Sequence, residues 1–171
     1  AGIAGTAPRV TIADCVLESV LFGIYLKSAD GSVVRGNTIR GMDLPVQRRG
    51  DGIRIWQCTS TIIEDNLLDG CRDAVMWFSN TLQIRGNHVR NGRYGLHFMY
   101  SDGNVIEGNR LERNSVGAFL MYSKDLVLRD NVFAHNRGPS GYGLGLKYMD
   151  RTSGERNLFV GNRVGLHLDS T

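Results

Sequence analysis

The sequence predicts an all-β chain wound as a right-handed parallel β-helix of about seven coils, and three observations predict it. A pattern of apolar-x-apolar, Gly-Asn or Asp-Asn, x-apolar and Gly-apolar-x-apolar recurs along the 171 residues. Its period is about 22 residues, which suits one solenoid coil of short strands. Within each segment apolar and polar residues alternate with period two, and Gly or Asn bounds the runs, as expected of strands separated by turns.

The columns of the repeat are justified in order along a coil. The Asn column reads Cys15, Asn37, Asn66, Asn87, Asn109, Asn131 and Asn157. Stacked amides there would bond to the next coil at each turn. Leu17, Ile39, Leu68, Val89, Leu111, Phe133 and Phe159 follow two residues later and should fill the tube. A small-residue column comes next, at Gly23, Gly52, Ala74, Gly95, Gly117, Gly143 and Gly165. Behind it, two further inward columns are expected: Ile24, Ile53, Val75, Leu96, Ala118, Leu144, Leu166, and Leu26, Ile55, Trp77, Phe98, Leu120, Leu146, Leu168. Rungs about 4.8 Å apart would turn each column into an apolar ladder. A leucine-rich repeat, the rival at this period, would need an LxxLxLxxN consensus that these segments lack.

Charge supports the register. Two residues before the Asn column stand Ala13, Arg35, Glu64, Arg85, Glu107, Arg129 and Glu155, so opposite charges alternate from rung to rung. That order attracts in register and repels when slipped. Two coils are long, with insertions at Met42 to Gly50 and Arg137 to Tyr142 that leave from one corner. Insertions on one face of a repeat protein often carry binding, so Arg48, Arg49 and Tyr142 are candidate partner contacts.

Composition bounds the function. The net charge of +3 is spread without a run of like charges, which points to no nucleic-acid partner, and no apolar stretch is long enough for membrane insertion. The chain reads as a single domain, 1–171, and as a portion of a longer β-helix protein, because Leu168-Asp169-Ser170-Thr171 closes a strand without a capping pattern. Cys15, Cys58 and Cys71 lack zinc spacing and read as incidental thiols, with a 58 to 71 disulfide as the alternative.

Positions between the inward columns should be polar on an idle surface, and they are not. The expected outward columns read Tyr25, Arg54, Met76, His97, Phe119, Gly145, His167 and Lys27, Trp56, Phe78, Met99, Met121, Lys147, Asp169. Met76, His97, Met99 and Met121 would then converge on adjacent rungs. Thioether and imidazole ligands suit soft Cu(I), whereas calcium or magnesium would want carboxylates. The same strip, with Trp56, Phe78 and Phe119, also suits a protein-docking scaffold, which apolar residues outside a solenoid mark more often than a metal site. An enzyme of the polysaccharide lyase or epimerase type would need a carboxylate pair, for which Asp43, Asp51 and Arg54 are the only suggestive group.

Three runs carry a family resemblance: Arg93-Tyr94-Gly95-Leu96-His97-Phe98-Met99-Tyr100-Ser101-Asp102, Val116 to Ser123, and Asn136 to Lys147. They resemble the periplasmic NosD family over about Gly50 to Asp169. The resemblance implies a non-catalytic periplasmic β-helix that handles or delivers copper during assembly of nitrous oxide reductase, and the soft ligands of the strip are expected to hold that copper transiently as Cu(I). It implies partnership with that reductase, an ABC transporter membrane subunit and a copper chaperone.

Overall fold

A computed structural model describes residues 1–170. Twenty-two short strands and one 3-10 turn, Val46–Arg48, make up its regular structure. The strands form three parallel sheets, one of eight strands and two of seven, and each strand pairs with its counterparts one coil before and one coil after. This is the parallel β-helix that the repeat predicts, with eight rungs on the sheet that runs from Ile3–Gly5 to Val164–Asp169.

Two of the three sheets have the register expected from sequence. Leu17, Ile39, Leu68, Val89, Leu111, Phe133 and Phe159 are successive partners down one sheet. Arg35, Glu64, Arg85, Glu107, Arg129 and Glu155 are successive partners on the outside of another. Ion pairs form along that column, Arg85 to Glu64 at 2.7 Å and Arg129 to Glu107 at 3.0 Å. They lie in solvent, so each contributes little energy, and their value is in opposing slippage.

The Asn column is a continuous amide ladder inside the wall. The Asn87 backbone N–H and Nδ2 both donate to Oδ1 of Asn109, at 2.9 and 3.0 Å. Its Nδ2 also donates to the Ile63 carbonyl at 2.9 Å. The pattern repeats from Asn37 through Asn131, which matters because a buried amide without partners is costly. A second ladder, Asn114, Asn136 and Asn162, follows the same rule at the next corner.

The eight-stranded sheet departs from the expected register at one coil. Ala74 pairs with Ile53 and Met76 with Ile55 on one side, while Val75 pairs with His97 and Trp77 with Met99 on the other. A bulge between Asp73 and Val75 absorbs the extra residue, so Gly95 has no single partner in that coil. Asp73, rather than Ala74, therefore occupies the place that Gly23 and Gly52 hold in earlier coils. Glycine is needed sterically on either side of that coil: a Cβ on Gly23 would sit 2.2 Å from the Gly52 carbonyl oxygen, and one on Gly95 2.3 Å from that of Gly117.

A one-residue shift reverses every side chain in the strand. Met76 and Ala74 point into the tube, and Met76 is 1% exposed within the main apolar cluster. Val75 and Trp77, expected inside, stand on the outer side. Phe78 leaves the strand altogether for the following turn, where its backbone is left-handed at φ 53°.

That turn carries an unforeseen feature. Phe78, Tyr100, Tyr122 and Tyr148 stack ring on ring, with centroids 5.3, 5.1 and 5.2 Å apart. All four have φ between 51° and 53°, and rings that stack this closely help hold a backbone that bulky residues disfavour. Directly behind them Ser79, Ser101 and Ser123 line the inner side of the corner, and Ser101 Oγ lies 2.9 Å from the Met76 carbonyl oxygen.

Cys58 and Cys71 are buried free thiols, and Cys15 is a half-buried one. Cys58 precedes Ser79 in that corner column, with its Sγ accepting from the Ala29 N–H at 3.3 Å. Cys71 lies at another corner beneath Gly41, and burial pushes its thiol up to about 12. The disulfide considered from the sequence is thus not formed.

Candidate metal site

The outer face of the eight-stranded sheet, corrected for the bulge, carries two columns. One runs Tyr25, Arg54, Val75, His97, Phe119, Gly145, His167, and the other Lys27, Trp56, Trp77, Met99, Met121, Lys147, Asp169. Of the four sulfur and imidazole candidates, three share this face. Met99 and Met121 are direct partners on adjacent rungs, and His97 is two residues from Met99 on the same strand. Met76 is excluded from the group because its side chain lies inside the tube.

Met99 and Met121 are half-buried, while His97 is only 6% exposed. The imidazole is walled by rings: Trp77 meets it edge-on with centroids 5.2 Å apart, and Tyr94 does so at 5.0 Å. Nδ1 of His97 lies 3.4 Å from Oδ2 of Asp73. A carboxylate only accepts, so Nδ1 carries a proton, and in the neutral ring Nε2 then presents its lone pair. Nε2 is buried and has no partner. Metal-ligating imidazoles are commonly oriented this way, with the remote nitrogen tied to a carboxylate.

Asp73 is itself anchored. It is 2% exposed, its Oδ1 accepts from Arg93 Nε at 3.0 Å and from the Tyr94 N–H at 3.1 Å, and Arg93 Nη2 reaches Oδ2. Burial would raise its pKa, but the hydrogen bonds to His97 and Arg93 outweigh that and hold the carboxyl below its usual range. Asp51 behaves oppositely. Burial dominates and pushes its carboxyl up, although Arg72 lies 3.0 Å away and opposes the shift.

That pairing bears on the carboxylate group considered for polysaccharide chemistry. Asp51 is 1% exposed and turned toward Arg72 and Arg54, whereas Asp43 is an exposed residue of the first insertion. The buried carboxylate is not presented to a polymer.

The candidate partner contacts are distributed. Trp56 lies in the column of Met99 and packs on Trp77 and on Phe78, at 5.5 and 5.4 Å. Phe78 is 44% exposed, in the turn stack rather than on the sheet. Phe119 is the outward partner of His97. Tyr142 stacks on His167 with centroids 4.4 Å apart. These rings border a shallow pocket of about 200 Å³ that Lys147, Asp169 and Ser140 also line. In the first insertion Arg48 is exposed, while Arg49 is occupied within the protein, donating to the carbonyls of Leu44 and Asn91 at 2.6 and 2.8 Å.

Sequence reasoning missed Asp73 and Trp77. Asp73 has a signal in retrospect: a carboxylate stands where other coils place glycine. Among the described residues no cluster of three or more His, Cys, Asp or Glu is arranged to hold a metal ion. A metal on this face would therefore depend on thioether sulfur, which favours a soft monovalent ion. No helix among the described residues is long and apolar enough to cross a membrane.

Comparison with known families adds one finding. A family model described as "Periplasmic copper-binding protein (NosD)" matches residues 39–171. No curated protein and no solved structure matches the chain.

Proposed function

The chain belongs to the NosD family of periplasmic copper-binding proteins, and on that premise we propose that it binds Cu(I) transiently through Met99, Met121 and Nε2 of His97. The observation that carries this reading is the placement of two partnered methionines and one carboxylate-oriented imidazole with an unpartnered nitrogen on adjacent rungs of a single outer face. Two sulfurs and one nitrogen, all neutral, match the preference of Cu(I) and offer little to harder divalent ions. Half-burial of both methionines leaves the ion reachable, as a protein that passes copper onward requires.

The family and the surface together support a finer reading. The chain delivers copper during assembly of nitrous oxide reductase, acting with an ABC transporter membrane subunit and a copper chaperone in the periplasm. It does so by presentation rather than by catalysis. Trp56, Phe119 and Tyr142, with the exposed Phe78 edge and Arg48, form the surface on which such partners would seat, since aromatic and arginine side chains dominate docking energetics.

Competition with a Cu(I) chelator tests the metal claim. The protein with Met99→Leu, Met121→Leu and His97→Asn should lose at least about a hundredfold in affinity, given that each ligand contributes more than a hydrogen bond. Equal affinity in the triple variant and the parent would end the reading. A docking scaffold without copper is the second reading; it predicts that Trp56→Ala with Phe119→Ala weakens capture of the reductase while the triple variant leaves capture and copper uptake unchanged.

A further inference from the structure

Resting on the copper reading above, we infer that Trp77 is part of the binding site: its indole closes one side of the Met99, Met121 and His97 group and meets the monovalent ion with its π face. The register puts it there. Trp77 is the outward partner of Met99, one rung away in the same column, and Met121 is the partner on the other side. The same indole lies against His97 with ring planes at 87°. One residue thus packs on the imidazole and is the rung neighbour of Met99.

The ring already faces a cation. The guanidinium carbon of Arg54 lies 5.5 Å from the Trp77 ring centroid and 5.4 Å from that of Trp56. Arg54 comes from the rung before Trp77 and Met99 from the rung after, so the two address the indole from opposite directions along the helix axis. Nε1 of Trp77 is buried without a partner, so no hydrogen bond accounts for the ring's placement.

Charge supplies the reason. Three neutral ligands leave the full positive charge on the ion, and Asp73, the carboxylate bonded to His97, is committed to that ring and to Arg93. A tryptophan face is the strongest aromatic partner for a cation, and the attraction grows where water is excluded. The indole also denies the ion further oxygen or nitrogen donors, disfavouring the tetragonal coordination of Cu(II). Selection for the reduced ion follows.

The chain has two tryptophans, so Trp56→Phe leaves Trp77 as the single indole emitter. This variant would be titrated with Ag(I), a redox-inert analogue of Cu(I), and with Cu(I) held by a chelator. The expected result is quenching of Trp77 emission that saturates with binding and disappears when Met99→Leu and Met121→Leu are added. Trp77→Leu should weaken Cu(I) binding about tenfold, with Trp77→Phe intermediate as the conservative control. Binding to Trp77→Leu at parental affinity, or metal uptake that leaves Trp77 emission unchanged, would overturn the inference while the copper reading stood. Parental affinity in the Met99→Leu, Met121→Leu protein would overturn both.

Discussion

Asp73 lies 3.4 Å from Nδ1 of His97 and so fixes which nitrogen of that ring is free. The carboxylate in turn depends on Arg93, which keeps it ionised in a buried place. The geometry of a single imidazole is therefore written in three side chains on two rungs.

Loss of that orientation should weaken metal binding without removing a ligand. Asp73→Asn is expected to reduce Cu(I) affinity roughly 10- to 100-fold, the usual effect of deleting a carboxylate behind a ligating histidine. Chelator competition measures it, and nitrogen-15 chemical shifts of His97 would report a changed tautomer. An Asp73→Asn protein with unchanged affinity and tautomer would show that the carboxylate has no orienting role.

Met76 and Met99 should separate stability from binding. Met76→Ala empties part of the core and should cost about 2–5 kcal/mol, with Met76→Leu under about 1.5 kcal/mol. Neither should alter Cu(I) affinity beyond any loss from unfolding. Met99→Leu should do the reverse, leaving the thermal midpoint nearly unchanged while affinity falls. A copper defect in folded Met76→Leu would contradict the inward placement.

The amide ladder gives a third expectation. Asn109→Ala leaves the Asn87 N–H without its acceptor and takes one from Asn87 Nδ2. Each buried group left unpaired costs about 1–3 kcal/mol, so urea denaturation should show a loss near the top of that range. Substitution of the exposed Asn91 should cost far less.

Glu112 sets an acid limit on stability. Its hydrogen bond from Arg110, aided by His88 at 2.8 Å, lowers the carboxyl from 4.5 to about 2 in the folded protein. A depressed folded pKa contributes stability that is fully present above the unfolded value and is lost as pH falls through the folded one. The decline should thus run between pH 4.5 and about 2. Glu112→Gln should flatten that part of the pH profile, and an unchanged slope would assign acid sensitivity elsewhere.

Thiol labelling checks the core directly. Burial holds Cys71 up to about 12, so neither it nor buried Cys58 should react with iodoacetamide at pH 8, whereas half-buried Cys15 should. Mass spectrometry would count one adduct in the native state and three in denaturant.

Two of the three sheets were legible in the sequence because each carries a polar marker. Alternating Arg and Glu fix one register, and Asn fixes the start of the next. The eight-stranded sheet has no such marker in its fourth coil. Ala74-Val75-Met76-Trp77-Phe78 is apolar throughout, so nothing in residue type reveals its phase, and Ala74 passes for a member of the glycine column. The bulge at Asp73 then shifts Met76 inward and Trp77 outward. The outward placement of His97, Met99 and Met121 was legible because their strands have six residues with glycine at the second position. The aromatic stack went unseen because Tyr100, Tyr122 and Tyr148 fall one residue past the last strand position, although they recur with the coil.

The Asn ladder implies a direction for failure. Each amide oxygen serves the rung before it, while its nitrogen looks both ways, so a coil cannot leave from the middle without stranding groups on both flanks. Such a molecule comes apart like a zip, one tooth releasing the next. Pulled along its length, it would yield in a train of small, evenly spaced steps, not in one snap.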